Sequence, residues 1–164
     1  MYLATQIPDF IAVDGMLALT AGSGTVRLVD LSFPDDPTLT GVLDPDGWAA
    51  GPLDLAEGHG YVCDTWNNRV HILELDSPDG IREVGVIEEI GHVAAVEVVP
   101  PFAYVTGNGL KIVDVSDPGT PVVVGSVPSL DGEKDLSVEL PYVYLAAWWD
   151  GLRIIDVSDP ENPL

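Results

Sequence analysis

The stretch GLKIVDVSDPGTP, Gly109 to Pro121, returns almost unchanged as GLRIIDVSDPENP, Gly151 to Pro163. Looser copies are TVRLVDLSFPDDP, Thr25 to Pro37, and RVHILELDSPDG, Arg69 to Gly80. In each copy an apolar run closes on an acid, and proline follows four residues later: Asp30 and Pro34, Glu74 and Pro78, Asp114 and Pro118, Asp156 and Pro160. Both series step by 44, 40 and 42 residues. That spacing belongs to propeller blades, whereas the rungs of a β-solenoid are shorter. A β-sandwich would not repeat its turn chemistry at a fixed period. Two further series keep the phase: Gly41, Gly85 and Gly125 after the first three turns, and Arg27, His71, Lys111 and Arg153 three residues before each acid.

Four strand-like segments fit into each period. Strand a reads FIAV, PLDL, AVEV or DLSV; strand b reads MLALT, GYVCD, AYVTG or VYLAA. Strand c is the recurring stretch, and strand d is TLTGVL, REVGVIEE or PVVVGSV. Seventeen glycines and fourteen prolines interrupt the chain, and the runs between them are rich in β-branched residues, so helix is disfavoured. The fold expected is all-β: a β-propeller built from four four-stranded blade repeats of about 42 residues. The chain reads as a single unit, with repeats at approximately 8–47, 48–91, 92–132 and 133–164 and an N-terminal strand at 1–7. Strand c, apolar at nearly every position, suits a strand held between two neighbouring blades.

Composition narrows the function classes. The 164 residues carry 27 acids against 6 lysines and arginines, a net charge of −21, while 46% are hydrophobic. Such a surface repels nucleic-acid phosphates and anionic headgroups, so nucleic acid is not an expected partner. The apolar fraction is too high for acidic disorder. No run is long enough to span a bilayer, and MYLATQIPDF lacks the basic-then-apolar order of a signal peptide. The lone Cys63 can form no intramolecular disulfide and, between apolar neighbours in YVCD, reads as a small core residue.

The signature GL-K/R-IVDVSDP-x-x-P followed by V-V-G, with AYV upstream, resembles the LVIVD-repeat family of bacterial and archaeal β-propellers. Repeats three and four fit closely. Repeat one has VDLSFPDDP, and repeat two departs with LELDSPDG and with Ile81 where a second proline would fall. The resemblance implies a non-catalytic binding or scaffold propeller, in a family common in cell-envelope and extracellular proteins. It brings no catalytic motif.

The repeated polar residues read first as turn chemistry. Ser116, Asp117, Ser158 and Asp159 can satisfy backbone N–H groups where proline ends the strand. The strand-c acids and the basic series, an odd number of positions apart, point to opposite faces, and each is expected to meet a neighbouring blade or strand. His59, His71 and His92 lack metal-site spacing, and DPDG at Asp44–Gly47 lacks the distal glutamate of a calcium loop. No GxSxG, phosphate loop or HExxH occurs, so the sequence points to no cofactor and gives catalysis no support. The alternative is an enzyme or calcium-binding propeller using acidic loop residues or the inner-strand acids Asp54 and Glu97; Ala12 and Ser137 hold the equivalent positions in the other repeats.

The repeats differ most in their loops, where function resides on a repeated scaffold. If strands run a to d in order, all four tryptophans fall on the face of the b–c and d–a loops: Trp48, Trp66, Trp148 and Trp149. Acids share that face at Asp44, Asp46, Glu88, Glu89, Asp131, Glu133 and Asp150, with Asn67 and Asn68 beside Trp66. Aromatic rings flanked by carboxylates and amides suit a protein, peptide or carbohydrate ligand. The expected partner surface comprises Trp48, Trp66, Asn67, Trp148, Trp149 and Asp150; the competing reading has these rings capping the core.

By phase, Leu164 corresponds to Val122 and Met1 to Ser126, leaving about three residues missing from the circle. MYLATQI has the phase of the later part of the last strand d. Three arrangements are open at this point: closure of four blades within one chain, an eight-bladed two-fold homodimer that exchanges the closing strand, or a piece of a longer array.

Overall fold

The computed structural model describes residues 8–76, 80–128, 132–149 and 151–164. Fifteen strands and no helix occur among them. The first sheet comprises β1 (Phe10–Asp14), β2 (Leu17–Gly22), β3 (Thr25–Asp30) and β4 (Thr38–Leu43). The second comprises β5 (Ala50–Ala56), β6 (His59–Asp64), β7 (Arg69–Glu74) and β8 (Arg82–Ile87). The third comprises β9 (Ala95–Val99), β10 (Phe102–Thr106), β11 (Leu110–Asp114) and β12 (Val122–Val127). The last has β13 (Glu133–Glu139), β14 (Tyr142–Ala147) and β15 (Gly151–Asp156). Every sheet is an antiparallel meander in sequence order, and the fourth has three strands. Beyond β15, Leu164 exchanges both backbone hydrogen bonds with Asp156.

Tight turns keep the meander compact. Ser23–Gly24 and Glu57–Gly58 both take positive φ at two successive residues, the left-handed geometry whose twist matches that of a β-hairpin. The c–d junction repeats a finer device. Leu28, Ile72 and Ile112 lie opposite Gly41, Gly85 and Gly125, and in each blade the register slips by one residue immediately afterwards.

Blades stack through strand a, with β1 against β5, β5 against β9 and β9 against β13. Among the described residues no comparable contact joins β13 back to β1, and the four sheets as described form an open arc. Each junction has its own core. Val26 and Leu28 pack with Leu55, Val62 and Leu73 between blades one and two. Ile72 and Cys63 meet Val96, Val98 and Val105 at the next junction. Leu110 and Ile112 meet Val143, Leu145 and Ile155 at the third. Cys63 is a buried member of its core, and burial pushes its thiol pKa up.

The periodic glycines mark where one blade enters the next. A Cβ on Gly85 would overlap the carbonyl oxygen of Pro118, and one on Gly125 that of Pro160. Gly41 receives the Ile81 side chain in the same way, which explains why repeat two tolerates isoleucine at its second proline position. The prolyl turns of blades three and four therefore sit in a groove over the strand-d glycine of the preceding blade.

Candidate functional site

Asp64, at the end of β6, organizes the loop that carries Trp66. Its Oδ1 accepts from the backbone amides of Ala49, Trp66 and Asn67, and its Oδ2 accepts from the Asn67 side chain at 2.6 Å. Burial opposes ionisation of Asp64, but the Asn67 amide and the three backbone donors outweigh it and hold the carboxyl below its ordinary pKa. Asn67 also donates to Gly47 O at 2.9 Å, tying the b–c loop of blade two to the preceding d–a loop. Asn68 takes the left-handed conformation that closes the turn.

Trp48 comes from that d–a loop and stacks on buried His71, with ring centroids 3.4 Å apart and planes 18° apart. His71 Nδ1 lies 2.6 Å from Glu83 Oε2, and its Nε2 lies 3.5 Å from Asp64 Oδ2. Trp48 thus packs onto the core while one edge remains open. With Trp66, which is 77% exposed, it walls a cleft of about 350 Å³ that also involves Phe10, Ser23 and Pro52. A preorganised aromatic cleft with backbone groups at its rim accepts a flat apolar face and offers few charges to compete with it.

The other predicted aromatic residues lie two blades away. Trp148 and Trp149 are exposed at the β14–β15 loop, and Lys134 Nζ sits 4.6 Å from the centre of the Trp148 ring. Neither lines the Trp48–Trp66 cleft, so the expected surface divides into two aromatic clusters. Asp150 and Asp131 lie outside the described residues. Among the rim acids, Glu133 is buried and accepts from Gly109 N, while Glu88 pairs with Arg69 at 3.1 Å.

The inner-strand acids reach between blades. Asp54 Oδ2 accepts from Val98 N at 2.7 Å, and Glu97 Oε2 accepts from Val138 N at 3.0 Å. Burial pushes both carboxyls above their ordinary pKa despite these bonds. Three of the strand-c acids differ from expectation. Asp30, Asp114 and Asp156 fold back onto Ser32, Ser116 and Ser158, two residues on, instead of meeting a neighbouring blade or strand. Among the described residues, Glu74 alone of this series reaches a neighbouring strand, accepting from Arg82 on β8. Asp117 and Asp159 cap the following turn residues, as the turn reading requires.

A second cleft, of about 510 Å³, opens on the opposite face between blades two and three, beside Glu57, His59, Tyr61, Pro101 and Ser116. Burial, with Glu57 and Asp54 nearby, pushes the Tyr61 phenol up to about 12, so it stays protonated. The sequence reading overlooked this cleft because its residues belong to different repeats and share no motif.

The repeat chemistry and the blade stacking define a β-propeller module. Residues 90–128 and 133–164 match the LVIVD repeat, so the third and fourth repeats of the chain are similar to that family. No curated protein matches it. Among solved structures, a protein from Lactobacillus plantarum superposes with a TM-score of 0.80 at 12% identity, over 95% of this chain and 53% of that one. BamB from Moraxella catarrhalis gives 0.72 at 15% identity, over 96% and 49%. The computationally designed Ika4 protein gives 0.73 at 13% identity, over 92% and 91%. The chain thus spans about half the length of the first two. At these identities the likeness shows the fold alone.

Proposed function

We propose that this chain is a non-catalytic binding module whose ligand seats on the b–c and d–a loop face, in the cleft between Trp48 and Trp66. The observation that carries this reading is an exposed indole on a loop whose backbone is held by a buried, fully bonded carboxylate. Asp64 fixes the Trp66 loop from both sides, and that rigidity lowers the entropic cost of using the ring for recognition. The ligand class is a sugar ring or peptide segment with a flat apolar face, neutral or cationic, because a net charge of −21 repels anions. Trp148 and Trp149 extend the same face and provide a second contact for an elongated ligand. An extracellular or cell-envelope setting, implied by the family resemblance, belongs to the same proposal.

The metal reading receives less support. Asp54 and Glu97 spend one oxygen each on the backbone of the next blade, and among the described residues no group of three or more His, Cys, Asp or Glu is placed to hold an ion.

Glycan and peptide arrays, followed by titration calorimetry on any hit, test the proposal. Trp66→Ala is expected to weaken the hit about tenfold or more, as loss of a central aromatic anchor does. The melting temperature should stay near wild type, because the ring is exposed. Unchanged affinity in both Trp66→Ala and Trp149→Ala would overturn the reading.

A further inference from the structure

The two ends of the arc expose residues whose counterparts are buried at every internal junction. On strand c, Val26 and Leu28, Val70 and Ile72, and Leu110 and Ile112 are buried against the following blade. Their counterparts on β15, Leu152 and Ile154, are 65% and 58% exposed. On strand a, Leu55, Val96, Val98 and Val138 are buried against the preceding blade. The equivalents of that series on β1, Ile11 and Val13, are 66% and 57% exposed. A terminal repeat that faced water would carry a polar outer face; both of these are apolar. The β15 end also holds a cleft of about 200 Å³ beside Leu136, Tyr144 and Leu152, at the position where the preceding blades receive a neighbour.

We infer that the occupant of each end is a second copy of this chain, with blade four of one copy against blade one of the other, twice over around a two-fold axis. The contact is the interface the chain already makes three times within itself. The curvature fits: the arc superposes on about half of the Lactobacillus plantarum protein and of BamB, so two arcs make a ring of about eight blades, within the known range of propellers. A two-fold axis closes both ends at once and leaves no edge for open-ended growth. Strands β13 to β15 carry the blade-four side of the seam. The exchanged N-terminal strand expected from the repeat phase falls on residues 1–7, outside the described residues, and the seam does not depend on it.

Native mass spectrometry and sedimentation of the 164-residue chain at micromolar concentration provide the test. The expected mass is about 35 kDa, twice the 17.4 kDa of one copy. Leu152→Asp/Ile154→Asp and Ile11→Asp/Val13→Asp should each give a 17.4 kDa species with unchanged circular dichroism, because these side chains contribute little to the single arc. Mixing the two variants should restore part of the 35 kDa species, since one wild-type seam can then form. A wild-type monomer would overturn the inference and assign the faces to further repeats of a longer polypeptide. A ladder of increasing masses would overturn closure. A dimer sensitive to only one of the two variants would overturn the blade-four to blade-one pairing.

Discussion

At the residue scale, small groups set the spacing between blades. Asp54 and Glu97 each cross a junction to a backbone amide 44 or 41 residues away, a distance of one repeat. Asp54→Ala should cost about 1–3 kcal/mol by leaving the Val98 N–H unpaired. Asp54→Asn keeps an acceptor for that N–H and removes the buried charge. The folded pKa of Asp54 lies above the ordinary 3.8, so its contribution is greatest below that value and falls as pH rises through the raised one. Melting curves across pH should therefore flatten above 3.8 in the Asp54→Asn variant. Gly125→Ala places a methyl against the Pro160 carbonyl oxygen and should destabilise by about 1–3 kcal/mol, the usual cost of overpacking. The periodic glycines were legible in the sequence, but their reason was not: the atom each one admits belongs to another repeat.

At the element scale, the c–d turn was the most readable part of the chain. Its proline and aspartates repeat because each turn must satisfy its own amides, a local requirement that leaves a local signature. The acid at the end of strand c proved more local than its phase suggested, bonding the serine two residues on. Serine hydroxyl and amide donors lower the Asp30, Asp114 and Asp156 pKa values, the side-chain bond foremost. This contribution is present above 3.8 and is lost as pH falls through the lowered folded values, the opposite sign from Asp54. Asp114→Asn should flatten the acid limb of the melting curve by lowering the neutral plateau toward the low-pH level. The loops were less legible. Sequence order placed the tryptophans on one type of loop, yet only packing separates Trp48, stacked on His71, from the exposed pair two blades away.

At the scale of the whole molecule, periodicity implied blades, and the structure supplies an arc of four. Whether an arc closes depends on contacts between its ends, about which a repeat period is silent. The charge of −21 per copy opposes association through long-range repulsion, while the end faces favour it through burial. Screening shortens the first and spares the second. The dimer fraction should therefore rise with sodium chloride, which light scattering across a salt series can measure; a fall would point to a charge-paired seam instead. The inner-strand acids also make the arc uneven. Blades two to four are fastened in succession by Asp54 and Glu97, whereas Ala12 offers no oxygen to fasten blade one to blade two. If this missing bond leaves the first boundary the looser one, amide exchange in β1 to β4 should outpace that in β5 to β12, which hydrogen-exchange mass spectrometry would check.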